Sequence, residues 1–360
     1  MNARERFLQT MHFGQPDRVP HWEMLGYWRD TLERWQDEGM PGDVHTEAYF
    51  GFDRRAQVPV ATGLAPAFKE ETVDEDAETK VVRLRNGAIA RVFKDWRKHS
   101  IPQYISMPIK TRADFAEYKK RLNPKSPCRY PQHFEDYVER FKERDYPISI
   151  TAGSLFGLPR GWMSLEGISY ALYDDPALVE EMMEYNTEFI IETIRPALSA
   201  IPDIDFACFW EDMAYNHGSL ISPKHFKQLM SPRYRRITDF LRKHGIEIIL
   251  VDCDGLTDEL IPLWLDAGLT GVYPVEIAAG NDPVEMRKKY GRDLHMVGGI
   301  DKRALARDKK AIEKEVMAKV PPLLEAGGWI PGIDHAVPKD VPFENYCYFR
   351  ELVKKLVEKG

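Results

Sequence analysis

Short apolar runs alternate with longer helical patterns through the second half of the chain, and this alternation restricts the folds that it can adopt. The clearest run spans residues 246–251, where Glu247 is the one polar interruption, and it has the composition of a strand buried on both faces. Predicted strands span residues 148–152, 204–210, 246–251, 271–275, 294–297 and 328–330, and predicted helices span residues 176–199, 223–244, 256–267 and 309–325. Such alternation predicts a parallel sheet covered by helices.

Two further runs near the N-terminus bring the predicted strand–helix units to eight. They span residues 17–24 and 56–61, the second weakened by Pro59. Eight units predict an α/β fold of the (β/α)8 TIM-barrel type, and since no low-complexity linker divides the chain, we expect one domain over residues 1–360. Residues 69–108 differ, because two alternating runs flank Asn86-Gly87 and predict a small antiparallel β-hairpin insertion.

Charge and cysteine content narrow the class of protein. The formal net charge is −7, which disfavours binding to nucleic acid or to an anionic membrane surface. The four cysteines lie far apart and form no C-x-x-C pair, as is typical of proteins in a reducing compartment. The N-terminus carries no apolar signal-peptide region, and no apolar run approaches the roughly 18 residues of a membrane span. We therefore expect a soluble cytoplasmic protein.

Acidic residues and histidines follow the predicted strands, at the edge where a barrel of this type binds its ligands. Carboxylates crowded in such a mouth must share protons, bind a cation or meet a cationic substrate. The residues are His21 and Glu23, Ser154, Glu211 and Asp212, Asp252 and Asp254, Glu276, Asp301, and Asp334 with His335.

Each of these residues also has a purely structural interpretation. Asp254 and Thr257 could cap a helix that starts near Leu256. Glu211 could belong to a solvated loop, and His21 could be a hydrogen-bonded core histidine. His335 is the stronger functional candidate, because the neighbouring Asp334 and a preceding glycine indicate a tight loop at the mouth.

Several long segments resemble the uroporphyrinogen decarboxylase superfamily, which also contains the cobalamin-dependent methyltransferases. They are RERFLQTMHFGQPDRVP near the N-terminus, LISPKHFKQLMSPRYRRITDFLRKHG in the middle, then DGLTDELIPLWLDAGLTGVYPVE, HMVGGIDKRAL and GIDHAVPKDVPFENYCYFRELV. The resemblance covers most of the chain and implies the same (β/α)8 barrel.

The chain departs from both branches of that superfamily at its functional motifs. Decarboxylases carry an arginine-rich M-R-Q-A-G-R element after the first strand, whereas residues 23–30 here read EMLGYWRD with Arg29 as the one arginine. A mouth that is acidic and has one arginine would repel the many carboxylates of a porphyrinogen. This composition therefore disfavours porphyrinogen decarboxylation. Methyltransferases hold zinc with an H-x-C-G element and a later cysteine, and here D-x-D-G ends on Gly255 while Asp334 stands at the cysteine position.

The methyltransferase resemblance implies a zinc-dependent enzyme that moves a methyl group from a methoxylated small molecule, in particular an aromatic one, to the Co(I) corrinoid (cobalamin) of a partner protein. Carboxylate and imidazole ligands suit an oxygen substrate better than a thiol. The expected metal ligands are Asp252, Glu276, Asp334 and His335; the expected catalytic residues are Glu211, Asp254 and His335; the expected substrate-binding residues are His21, Trp22, Tyr27 and Trp28.

Two alternatives stay open. The first is a metal-free lyase that acts on another carboxylated substrate, with His335 and a carboxylate handling protons. The second is a binding protein without catalytic activity. Members of the family are often homodimers, although the sequence itself shows no interface.

Overall fold

A computed structural model describes residues 1–95 and 102–358 of the chain. Its strands are β1 Ala56–Gln57, β2 Glu71–Glu75, β3 Thr79–Arg83, β4 Ile89–Phe93, β5 Gln103–Ser106, β6 Ile148–Thr151, β7 Phe206–Trp210, β8 Ala214–Tyr215, β9 Gly218–Ser219, β10 Ile248–Asp252, β11 Gly271–Tyr273, β12 His295–Val297 and β13 Trp329–Ile330. Its α-helices are α1 Ala3–Met11, α2 Arg29–Asp37, α3 Thr46–Tyr49, α4 Arg112–Tyr118, α5 Phe134–Lys142, α6 Gly157–Asp174, α7 Pro176–Ala200, α8 Pro223–His225, α9 Ser231–Lys243, α10 Ile261–Asp266, α11 Pro283–Tyr290, α12 Lys302–Leu305, α13 Lys309–Ala326 and α14 Phe343–Val357. None of the helices described is long and apolar enough to cross a membrane.

The described strands include a curled parallel sheet of seven, in the order β1-β6-β7-β10-β11-β12-β13. Each predicted strand from residue 148 onward is confirmed, although most are a few residues shorter than predicted. Strand order follows chain order, and each connection between neighbouring strands includes at least one helix. The fold is therefore an α/β barrel of the TIM type.

The predicted strand over residues 17–24 is not a regular strand, and this corrects the sequence analysis. Two of its carbonyl groups accept hydrogen bonds from groups that are not part of a β-ladder. The His21 carbonyl accepts from the Asp53 N–H at 3.0 Å, and the Trp22 carbonyl accepts from the Arg350 guanidinium at 3.1 Å. Pro20, within the segment, lacks the N–H group that a ladder requires. The segment nevertheless helps to close the barrel, because Trp22 packs inside it.

An apolar cluster fills the barrel interior below the mouth. Helix α1 contributes Phe7 and Met11, both fully buried, and its N-terminus is fixed by a capping box between Asn2 and Glu5. The other buried members are Trp22, Phe206, Ile248, Leu250, Tyr273, Val297 and Ile330. Layers of inward-facing side chains of this kind make the barrel a packed core rather than a pore.

The predicted insertion is confirmed where the structure describes it. Strands β2 to β5 form an antiparallel sheet apart from the barrel, and β3 pairs with β4 across Asn86-Gly87. Gly87 donates to the Leu84 carbonyl at 2.8 Å and has φ 89°, which a residue with a Cβ adopts only with strain. Residues 96–101 of the predicted insertion lie outside the described residues.

Candidate active site at the mouth of the barrel

Three neighbouring strands end at the same level and define the mouth of the barrel. Asp252, the last residue of β10, lies beside Trp210 of β7 and Tyr273 of β11 in the register of the sheet. Inward-facing positions alternate along each strand, so these three residues and Cys208, two residues before Trp210, share the inner face. The residues of the candidate site lie at this level and in the loops that follow the strands.

Asp252 carries the most distinctive chemistry at the mouth. Its carboxyl group is half-buried and receives no hydrogen bond from any residue that the structure describes. Burial, followed by the negative charges of Asp254 and Asp212, raises the pKa of Asp252 to about 7. A carboxyl group with this pKa exchanges a proton near neutral pH, as a general acid or base must.

Asp254 and His335 form a pair beside Asp252. Asp254 Oδ2 lies 3.3 Å from His335 Nε2, and this contact raises the pKa of His335. The capping role considered for Asp254 and Thr257 is wrong, because the helix begins at Ile261 and Thr257 bonds to Asn281 instead. The Asp254 carboxylate is therefore available to the imidazole.

Glu276 and Asp334 share a lysine that the sequence analysis missed. The Lys302 ammonium lies 3.2 Å from Glu276 Oε1 and 3.5 Å from Asp334 Oδ2. Val275 precedes Glu276 with φ 61°, a strained conformation for a β-branched residue that is typical of functional loops. The ammonium balances one of the two negative charges, so a cation already lies next to both carboxylates.

The expected zinc ligands do not fit a zinc site as they are arranged. A zinc site needs three or more protein ligands that converge on one point. Asp334 is wholly buried and accepts from the Ile277 and Lys302 N–H groups, each at 2.9 Å, while Glu276 accepts from the Gly255 N–H at 3.0 Å. Within residues 1–95 and 102–358, no group of three or more His, Cys, Asp or Glu side chains is placed to hold a metal ion.

Glu211 lies behind the wall of the mouth, fully buried. Its carboxylate accepts from the Ser154 hydroxyl and from the Tyr234 hydroxyl. The N–H groups that also donate to it, at distances from 2.8 to 3.2 Å, are those of Leu155, Phe156 and Gly157. These bonds give Glu211 an anchoring role at the start of α6 instead of the catalytic or ligand role expected, because its acceptor positions are used.

The four residues expected to bind substrate lie in different environments. His21 is a buried core histidine, and burial lowers its pKa to about 3, so that the ring is neutral. Trp22 lies in the barrel interior, and the Tyr27 hydroxyl bonds to the Tyr346 hydroxyl at 3.1 Å. Of the four, Trp28 reaches the mouth: it is 50% exposed, and its ring stacks on that of His335 with centroids 6.1 Å apart.

Arg55 is a second residue that the sequence analysis missed. Its guanidinium bonds to the Glu23 carbonyl at 2.9 Å and lies over the Trp22 ring, 5.3 Å from the centroid. Burial raises the pKa of both Cys208 and Tyr273, and the charges of Asp252 and Arg55 also act on these two residues. The fold and the site together describe an α/β barrel with ionisable side chains at the carboxyl ends of its strands.

The family to which the chain belongs follows from comparison with known proteins. The family model described as "Uroporphyrinogen decarboxylase (URO-D)" matches residues 95–356. This match covers more than half of the chain, and the protein belongs to the uroporphyrinogen decarboxylase family, an enzyme family.

Two known proteins illustrate the relationship. "Uroporphyrinogen decarboxylase 2, chloroplastic" of Oryza sativa subsp. japonica is 27% identical over 140 residues, which are 37% of this chain and 33% of the rice protein. The match therefore spans about a third of that relative's length. A solved structure of a methyltransferase from Methanosarcina mazei covers 99% of both chains with a TM-score of 0.63 and 15% identity. At this identity the likeness shows a shared barrel fold.

Proposed function

We propose that the protein is a methyltransferase that takes a methyl group from a methoxylated aromatic compound and passes it to the Co(I) corrinoid of a partner protein. The observation that carries the proposal is Asp252, a half-buried carboxyl group whose pKa of about 7 lets it hold a proton at neutral pH. Membership of this enzyme family and the open, aromatic-lined mouth also support the proposal.

Asp252 would supply the proton that the leaving oxygen needs. The bond between the ether oxygen and the methyl carbon breaks, and both of its electrons stay on the oxygen. The corrinoid, here a co-substrate, provides the electron pair for the new bond to the methyl group. The proton of Asp252 passes to the oxygen and gives a neutral alcohol or phenol, so that charge and atoms balance.

Trp28 and Trp210 are suited to an aromatic substrate. They are 50% and 42% exposed, and Trp210 lies beside Asp252 in the sheet register. Flat rings of this kind bind other rings by stacking and by excluding water. The pairing of His335 with Asp254 would then hold the imidazole at the edge of the substrate, where Trp28 stacks on it.

Methylation of Co(I) cobalamin by methoxylated benzoates, followed by the visible absorbance of the corrinoid, tests the proposal. We expect Asp252→Asn to slow the single-turnover rate by about 100-fold, since general acid catalysis typically contributes this much. Asp258→Asn is the matched control, because Asp258 is exposed and pairs with Lys289 away from Asp252. Wild-type protein without methyl transfer, or full activity in Asp252→Asn, would reject the proposal. A cytoplasmic setting belongs to the same proposal, because Co(I) survives only under reducing conditions.

A metal-free lyase is the second candidate, and Lys302 favours it. The ammonium between Glu276 and Asp334 is the cation at the position where the resemblance implies zinc. Asp252 or His335 would then protonate the carbon from which carbon dioxide departs. Release of carbon dioxide from a carboxylated substrate without corrinoid, undiminished by chelators, would identify this activity instead.

A further inference from the structure

Asn281 is a buried polar side chain to which the proposed reaction gives no role. It belongs to the loop that follows β11, it is 6% exposed, and its amide reaches the loop that follows β10. The Nδ2 group donates to the Gly255 carbonyl at 2.8 Å and to the Glu276 carbonyl at 2.9 Å. The Oδ1 atom accepts from the Thr257 N–H and from the Thr257 hydroxyl, each at 3.2 Å. All four hydrogen-bonding positions of this amide are therefore used.

The partners of Asn281 determine which end of the amide faces which group. A carbonyl group can only accept and the Thr257 N–H can only donate, so turning the amide by 180° would place like groups against each other at three contacts. An aspartate would present oxygens to both carbonyl groups, and an alanine would leave both without a donor. A buried polar group without a partner is costly, so this position favours asparagine.

The loop that Asn281 holds carries both aspartates of the D-x-D-G element. Gly255 has φ 86°, and a Cβ at this position would lie 2.6 Å from the Tyr215 nitrogen, so the chain turns tightly against the neighbouring segment. The Gly255 N–H donates to Glu276 Oε2 at 3.0 Å. Both backbone groups of this glycine are therefore bonded to the loop that follows β11, immediately after Asp254 in the chain.

We propose that Asn281 is a positioning residue of the mouth, which keeps Asp254 in contact with His335 by fixing the loop that carries Asp254. The same amide holds the backbone of Glu276, whose carboxylate lies 3.2 Å from the Lys302 ammonium. One side chain thus fixes the two ion pairs of the mouth relative to each other. For the rate of methyl transfer this inference rests on the proposed function, whereas for the position of Asp254 it rests on the contacts of Asn281 alone.

Asn281→Ala, compared with Asn345→Ala, tests this inference. Asn345 is also a buried amide that donates to two backbone carbonyl groups, but these lie at the end of α12 and not in the loops that follow β10 and β11. We expect both variants to unfold at a lower urea concentration than wild type. Asn281→Ala should also return the pKa of His335 toward its ordinary range, because Asp254 moves away, and slow methyl transfer by about 10- to 100-fold. Asn345→Ala should do neither.

Hydrogen exchange in wild-type protein tests the contacts of Asn281 even if Asn281→Ala does not fold. In protein with ¹⁵N-labelled asparagine, the Asn281 side-chain protons should exchange with D2O at least about tenfold more slowly than those of the exposed Asn123. Exchange as fast as at Asn123 would overturn the inference, as would a His335 pKa that stays raised in Asn281→Ala. A lowered His335 pKa in this variant, with no methyl transfer by wild type, would refute the proposed function alone. Methyl transfer that Asn281→Ala leaves undiminished would refute this inference alone.

Discussion

Asp254 Oδ2 lies 3.3 Å from His335 Nε2, and this contact joins the loops that follow β10 and β13 across the mouth of the barrel. It places a basic ring against one carboxylate of the D-x-D element while the other, Asp252, keeps a proton. The pKa of Asp252 is raised chiefly by burial, and the pKa of His335 is raised chiefly by its hydrogen bond with Asp254.

The His335 imidazole should lose its raised pKa when Asp254 is changed. The pKa of His335 is raised chiefly by the hydrogen bond to Asp254, so we expect Asp254→Asn to return the pKa toward its ordinary range. The folded-state pKa lies above the unfolded one, so the pair stabilises the fold fully at low pH and less as pH rises through the folded-state value. Both groups are partly exposed, so we expect the stabilisation to be well under 1 kcal/mol. Titration of the His335 Cε1 proton by NMR measures the shift, and a pKa that stays the same in Asp254→Asn would contradict the assignment.

Asp252→Asn should make the protein more stable at neutral and basic pH. The unfolded carboxyl releases its proton near pH 4, whereas the folded one keeps its proton up to about pH 7. The folded state binds more protons in this window, so stability falls as pH rises through it, and an amide removes that loss. About three pKa units correspond to about 4 kcal/mol, so we expect a gain of up to about 4 kcal/mol at pH 8 and none at pH 3, measured by urea unfolding. Equal stability of wild type and variant at pH 8 would show that the carboxyl has an ordinary pKa.

If Asp252 acts as the acid, the rate of methyl transfer should fall as pH rises through about 7, where this group loses its proton. The pH profile of kcat/KM measures this limb. Asp252→Asn should lack the limb as well as most of the activity, whereas Asp258→Asn should keep both. A wild-type rate that stays constant through this pH range would assign the proton donor elsewhere.

Glu211→Gln should destabilise the fold. The Leu155 N–H bonds to one oxygen of Glu211 and the Phe156 N–H to the other, so an amide would turn its NH2 donors toward one of these N–H groups inside a fully buried site. We expect a loss of about 3 kcal/mol in the free energy of unfolding, measured in urea. Glu117→Gln, on an exposed side chain that pairs with Lys120, should change it by less than about 0.5 kcal/mol. An equally small effect at Glu211 would mean that its carboxylate is not the anchor.

Lys302→Met should expose a cation site. Without the ammonium, the Glu276 and Asp334 carboxylates lack their counter-ion, so we expect the variant to bind zinc at least about tenfold more tightly than wild type. Equilibrium dialysis with elemental analysis measures the difference. Lys288→Met, at an exposed lysine paired with Glu285, is the control. One tightly bound zinc per wild-type chain would refute the interpretation that Lys302 fills this position.

The sequence predicts the barrel well because buried parallel strands leave a local signal. The apolar run over residues 246–251 is recognisable as a strand without reference to the rest of the chain. In the structure it forms β10, which ends at Asp252. Residues 17–24 show the limit of this signal: an apolar pattern identifies burial, but whether a ladder forms depends on distant groups such as Arg350. The apolar pattern alone does not show which group donates a hydrogen bond to a given backbone carbonyl.

The candidate site was predicted less completely, since its chemistry depends on pairs of residues far apart in the chain. Asp252, Asp254 and His335 were predicted at the mouth from their positions after strands. Lys302 follows Asp301 at the start of a short helix, and Arg55 precedes a strand of two residues. Sequence position alone identifies neither residue as functional, because the role of a basic side chain depends on which carboxylates the fold brings near it.

The plug formed by α1 has a kinetic consequence. Phe7 and Met11 pack against the inward-facing strand residues below the mouth, so in the described residues side chains fill the barrel beneath the site. A bound substrate would leave through the mouth by which it entered. A partner protein bound over the mouth would prevent its release. If methyl transfer to a partner protein takes place at this mouth as proposed, binding order should be compulsory, with the small molecule first in and last out.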